Sequence, residues 1–491
     1  MEIIIVGGGI SGLYLAHLLS EKNHPKVKYK IVLYEKENRF GGRIKTVYSK
    51  EKNTVITDNS DKKKEVLYES GPWRIHHSHK RVERLFSKLG ATFKSIDQKK
   101  NYFSFAKLSS TFMSSPSSVQ TNEITEYQHD VLSTNIPFAN QKMTKTGYDN
   151  IYQQAYGSES YHVPDTIKNK NFYVIAEGFS WCVEQLVQQL KEKKNVSLHL
   201  NSKINNVNFK NEKFLLDVAK RDERKNNSFS FHHTQCKILI LAVPPSEMKL
   251  WDISKIHIAP NIYCVDSLPL MHVMACSNNV PQKPFKYIVN NPLSQIISTC
   301  FQNSWFQISY SAGRMAMLWE NLRLIKNTTF HKHLLFYFHK YFPSRTIISK
   351  IVPHFWRHAV HYWLPNRKLS KGKLSNACTH PHPKKIPNLF WIGEAISTHQ
   401  GWIEGALETA ERVFHQISLQ PVPHKKISKK ELPKEYVIYD GRVLNVEEWK
   451  HVHPGSIAAI ENHMYQDITN LWNQYHPKEA SKYFIGLEHS K

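Results

Sequence analysis

Cysteine is scarce in this chain: six in 491 residues, and none forms a Cys-x-x-Cys pair. That argues against a disulfide framework or a cysteine-built metal centre. Cys182, Cys236, Cys264, Cys276, Cys300 and Cys378 are therefore read as reduced thiols in an intracellular setting. No apolar run reaches about 18 residues, so no transmembrane helix is expected. The apolar residues 3–19 lack a basic leader and a small-residue cleavage site, so they are not read as a secretory signal. Internal repeats are missing too. Acidic residues are outnumbered, 41 against 66 Lys and Arg, for a net charge of +25. An excess of this sign suits nucleic acid or an anionic membrane. Lys far outnumbers Arg, however, and no DNA-reading motif occurs, so specific nucleic-acid binding is not expected. What remains is ample for a globular protein: 41% hydrophobic and 12% aromatic residues, in a length that suggests roughly two to four domains.

The first motif lies at the start. Residues 2–6 read as a short apolar strand, Gly7-Gly8-Gly9-Ile10-Ser11-Gly12 follows, and residues 13–19 read as a helix. Strand, G-x-G-x-x-G, helix is the order of a dinucleotide fold. Gly7 permits the tight turn, Gly9 lets the backbone approach a pyrophosphate, and Gly12 allows close helix–strand packing. The helix N-terminus that follows Ile10 and Ser11 offers free N–H groups to phosphate. A second strand over residues 30–34 leads into Glu35 and Lys36, where an acidic residue accepts hydrogen bonds from ribose hydroxyls.

Arg39-Phe40-Gly41-Gly42-Arg43 comes next. This R-x-G-G-R pattern after the ribose acid resembles the flavin-containing amine oxidase superfamily, whose wider relatives include phytoene desaturases and protoporphyrinogen oxidase. The resemblance implies non-covalent FAD, with Gly42 and Arg43 beside the pyrophosphate, where a planar guanidinium suits phosphate oxygens. It continues through Gly71-Pro72-Trp73-Arg74, in a segment that approaches the flavin, and Ile204, at the adenine. Residues 196–207 read as paired strands, the polar residues 220–235 as the surface loop of a strand hairpin, and residues 236–245 resemble the strand that closes the nucleotide domain. Gly393 and Glu394 then fall near the ribityl-pyrophosphate, and Trp402 and Ile403 open a helix whose N-terminus faces the flavin.

Two residues are catalytic candidates. By the same resemblance, Trp402 replaces the aromatic that walls one side of the amine site in monoamine oxidases, offering a cation–π surface or an apolar wall. His272, in residues 268–275, is nearest to where most amine oxidases keep a lysine that holds a water against the flavin. It can hold a water, exchange a proton or simply belong to the core.

A Pro- and Lys-rich linker, residues 419–430, precedes a change of character. Residues 436–440 and 443–446 read as a hairpin. His453-Pro454-Gly455-Ser456 follows, then His476 with Trp472 four residues before it, and a closing strand over 483–487. This pattern resembles cytochrome b5. The resemblance implies haem b with His453 and His476 as axial ligands, a pairing that favours electron transfer.

The expected fold is an α/β FAD-binding Rossmann-like domain (1–75, 170–250, 385–418) interleaved with an α+β substrate domain (76–169, 251–384). A small α+β cytochrome b5-like domain (431–491) completes it. The expected protein is a soluble FAD-dependent oxidoreductase acting on a small molecule, with an amine as the implied class. It would lie in the cytoplasm or in a virus particle. Its electrons would go to the haem, to oxygen or to a redox partner. The rival is a non-catalytic FAD-fold scaffold carrying a b5-like module.

Overall fold

The computed structural model describes residues 2–21, 29–49, 65–96, 172–222, 227–252, 256, 262–279, 286–288, 291–298, 304–342, 346–364, 371–383, 385–418, 436–439, 442–447, 460, 463, 468, 472 and 488–489. The chain divides into two units, Glu2–Ser20 with Lys30–Ala410, and Glu21–Tyr29 with Glu411–Lys491.

The first unit is built on a five-stranded parallel sheet in the order Leu389–Trp391, Ile238–Leu241, Glu2–Val6, Lys30–Tyr34, Val196–His199. Its central strand is an unbroken apolar run because both faces are covered, and Ile3, Ile4 and Ile5 are wholly buried. Three segments far apart in sequence thus end side by side at the carboxyl edge, where ligands bind in open α/β sheets.

A second, antiparallel sheet centres on Val265–Cys276, which pairs with Trp305–Ala312 on one side and Lys350–Trp363 on the other. Met271, Val273 and Ala275 pack with Trp319, Phe330, Leu334 and Phe338 from the helices Gly313–Ile325 and Asn327–Phe338. Because side chains alternate across a strand, that packing turns His272 to the opposite face.

Two local expectations change. Residues 196–207 read as strands paired with each other, but Val196–His199 joins the parallel sheet while Ser202–Lys210 enters a separate three-stranded meander. Asn201, at φ 53°, makes the turn, a conformation Asn tolerates. Its N–H and that of Ser202 bond the carbonyls of Glu37 and Glu35, which redirects the chain. Residues 220–235 read as the polar surface loop of a strand hairpin; the hairpin is there, but its strands, Lys213–Asp222 and Ser228–Cys236, take up most of those residues.

In the second unit, Tyr436–Tyr439, Arg442–Asn445 and Glu488–His489 form a three-stranded antiparallel sheet. Val437, Leu444, Val446, Ile460 and Trp472 make its small core. The hairpin matches the expected one. His453, His476 and the closing strand over 483–487 lie outside the described residues.

Candidate active site

A cavity of about 910 Å³ opens at the carboxyl edge of the parallel sheet, towards the large end for a ligand site. Every dinucleotide residue expected from sequence lines it except Gly12.

Gly12 acts beneath the cavity. A Cβ there would lie 2.2 Å from the Gly7 carbonyl oxygen, and one on Gly7 (φ +113°) 2.5 Å from that of Ala242. Both glycines are therefore demanded by packing. Gly9 is different: a Cβ there meets nothing within 4 Å. It borders an open cradle at the start of the helix Ile10–Glu21, which has no acidic residue in its first turn. Free N–H groups, a missing side chain and empty space together fit a pyrophosphate.

Glu35 closes one end of the cradle. Its carboxylate accepts the Gly8 N–H at 2.6 Å and the Glu37 N–H at 2.9 Å. Burial raises its pKa, and these two bonds oppose the rise. Lys36 lines the cavity with its ammonium on Glu247, 2.6 Å away. The glycine loop that follows docks through Gly41 N–H to Gly8 O at 2.8 Å. Arg39, which also lines the cavity, braces this loop by donating to the Ile44 carbonyl at 2.9 Å.

Arg43 crosses the site. Its guanidinium donates to the Ala359 carbonyl and, at 2.7 Å, to Glu394. Glu394 is buried, and it also accepts the His361 N–H at 3.1 Å, His361 Nδ1 at 3.0 Å and the Gly401 N–H at 2.8 Å. Burial alone would raise its pKa, but Arg43 and His361 outweigh that and hold the carboxyl well below its usual range. Sequence reading placed Arg43 and Glu394 at the cofactor separately. It missed both their pairing and His361, because residues so far apart in sequence meet only in the fold.

The far end of the cavity is aromatic and basic. The Arg74 guanidinium lies 4.4 Å from the Phe172 ring centre, 5.0 Å from Trp73 and 6.0 Å from Trp402. Among the described residues no carboxylate pairs with it. The Trp402 face that sequence reading offered to a substrate cation is thus partly occupied by a cation of the chain itself.

His79, which sequence reading missed, packs edge-on to Trp402 with ring centres 4.7 Å apart. Its Nδ1 accepts the His76 N–H at 3.3 Å, so its proton sits on Nε2. Burial first, then the neighbouring His76, lowers its pKa to about 3.

His272 reaches the cavity from the second sheet, its ring tilted against that of Tyr310 with centres 4.6 Å apart. It is buried, and neither ring nitrogen has a hydrogen-bond partner among the described residues. Burial lowers its pKa to about 3, and His354 adds to the effect. A buried imidazole without partners is costly, which fits a group that bonds a ligand in this cavity. Its strand, Val265–Cys276, carries no lysine. Lys45, which sequence reading did not consider, lines the same cavity.

Comparisons with known proteins agree with this geometry. The family model for an NAD(P)-binding Rossmann-like domain matches residues 5–89. That for the flavin containing amine oxidoreductases matches 141–417, more than half of the chain. A cytochrome b5-like heme/steroid binding domain matches 423–488. No curated protein sequence matches. Among solved structures, the chain resembles one from Exiguobacterium sp. 255-15 assigned as a protoporphyrinogen oxidase. Identity is 10%, covering 85% of this chain and 98% of the other, with a TM-score of 0.52. That likeness speaks for the fold alone. The matched domains make the chain an FAD-dependent oxidoreductase with a b5-like haem domain. By the extent of the match, the chain belongs to the flavin-containing amine oxidoreductase family.

Proposed function

We propose that this enzyme oxidises a small amine that also carries an anionic group, and that Arg74 anchors that group. One observation carries the reading: a guanidinium lines the cavity, packed on aromatic rings, with no carboxylate paired to it among the described residues. Such a cation repels an ammonium and attracts a carboxylate, to which its fork bonds in pairs.

When bound, FAD supplies a two-electron acceptor and the haem a one-electron outlet. The residues of the chain prepare the site around them. The Gly9 cradle and the helix start at Ile10 would hold the pyrophosphate, and Glu35 would accept hydrogen bonds from the ribose hydroxyls. Arg43 and Glu394 brace the wall between. Trp73, Trp402 and Phe172 exclude water from around Arg74, which strengthens its hold on an anion. His272, with a pKa near 3, is too weak a base to take a proton at neutral pH. It orients the substrate or a water by hydrogen bonding. His453 and His476 would hold the haem iron.

Anaerobic titration with an amino acid and its decarboxylated amine tests this reading. The amino acid should bleach the flavin band, and haem reduction should follow. The decarboxylated amine should fail, and Arg74→Met should raise the amino acid's KM at least about tenfold. Bleaching by both compounds alike would overturn the role of Arg74. The absence of a lysine on Val265–Cys276 favours a second reading, a non-catalytic FAD scaffold. That reading requires that no amine bleaches the flavin and that no oxygen is consumed.

A further inference from the structure

The large positive charge has no part in the proposed chemistry, and its distribution is uneven. Residues 313–350 contain seven Lys and Arg against a single acidic residue, Glu320. Glu320 is buried and bound by Arg323 at 2.7 Å. The outer surface of this segment therefore presents no free carboxylate.

The same segment holds half of the large hydrophobic side chains exposed among the described residues. Leu324 is 66% exposed, Ile325 79%, Phe336 60% and Ile347 70%, with Leu318 less so. Leu324 and Ile325 end the helix Gly313–Ile325, and Lys326, exposed and extended, turns the chain into Asn327–Phe338. The corner thus offers two aliphatic side chains followed at once by a cation. Phe336 repeats the combination, with the Lys340 ammonium 4.7 Å from its ring centre. The helices are already anchored, since Trp319, Phe330, Leu334 and Phe338 fill the core beneath them. The exposed set is therefore spare to the fold.

We propose that this helical hairpin docks on the surface of an anionic phospholipid bilayer. Leu324 and Ile325 enter the boundary between headgroups and acyl chains, and the Lys and Arg side chains of the segment face lipid phosphates. Apolar side chains beside cations, with no exposed carboxylate, match such a surface in both charge and polarity. Nucleic acid would use the cations but has no use for the aliphatic corner. Among the described residues no helix is long and apolar enough to cross a membrane, so the association is peripheral.

Vesicle co-sedimentation of the full chain, carrying its cofactors, tests the proposal. Vesicles of phosphatidylcholine with phosphatidylserine should bind the protein, and rising salt should weaken the binding. Pure phosphatidylcholine vesicles should bind it at least about tenfold less. The double variant Leu324→Ser/Ile325→Ser keeps the charge and touches no core residue. It should lose at least about tenfold in vesicle affinity while its flavin spectrum and affinity for duplex DNA stay unchanged. Equal vesicle binding by the variant, equal binding to neutral vesicles, no vesicle binding at all, or equal loss on DNA and lipid would each overturn it.

Discussion

Arg43 and Glu394 are 351 positions apart and meet at 2.7 Å in one wall of the cavity. Glu394 is almost wholly buried, whereas about a third of the Arg43 side chain is exposed. Arg43→Met would leave the Glu394 carboxylate with only His361 and the Gly401 N–H as partners. Removing one partner of a buried pair costs about 3–5 kcal/mol, and the exposure of Arg43 brings the expected loss below that range, to roughly 2–3 kcal/mol. Urea unfolding at neutral pH reads this directly. A loss within error would show that the pair is dispensable.

The same carboxyl sets an acid limit. Its folded pKa is depressed, so the native state favours the charged form. That contribution to stability is present above the unfolded carboxylate pKa and falls away as pH drops below it. Glu394→Gln should therefore flatten the decline in melting temperature on acidification below about pH 4.5. An unaltered acid limb would sink this assignment.

Glu69 works in the opposite direction. It is buried and bonded to the Thr46 hydroxyl and the Phe179 N–H. Burial pushes its pKa up to about 7. The folded protein thus holds a proton that the unfolded chain releases. Stability from this group is complete below about pH 4.5 and is lost as pH rises to 7, by roughly 3 kcal/mol in total. Glu69→Gln should abolish that slope between pH 4.5 and 7 and leave the acid limb of Glu394 untouched.

Gly9 and Gly12 separate binding from folding. Gly9→Ala points a methyl into open cradle, so the apoprotein should melt within a degree or two of the parent while FAD affinity falls at least about tenfold. Gly12→Ala drives a Cβ against backbone at 2.2 Å and should fail to give folded protein. Normal FAD binding by Gly9→Ala would remove the pyrophosphate from this cradle.

His453→Ala and His476→Ala should each abolish the low-spin bis-imidazole haem spectrum while the flavin absorbance persists. A haem spectrum unchanged in either variant would dismiss that histidine as a ligand.

What was legible in the sequence was local. Gly7, Gly9 and Gly12 announce themselves because strand, turn and helix occupy a dozen consecutive residues. The hairpin over 436–445 was equally readable, from one turn between two β-prone runs. What stayed hidden was tertiary. Nothing in the sequence near Arg74 says that Phe172 and Trp402 will flank it. The tautomer of His79 depends on one backbone N–H three residues away, a matter of geometry rather than composition. The hairpin over 213–236 was expected, but its strands were read too short because the outer one, Ser228–Cys236, is exposed on both faces for most of its length, which removes the polar–apolar alternation that marks a strand.

The cavity wall draws on residues 6–11, 34–45, 71–75, 202–204, 242–244, 353–360 and 392–406. During synthesis, the glycine cradle therefore emerges from the ribosome long before the helix that completes the pocket opposite it. Tight capture of flavin must wait until most of the polypeptide has been translated. A chain truncated before residue 392 would lack the wall that Gly393, Glu394, Trp402 and Ile403 supply.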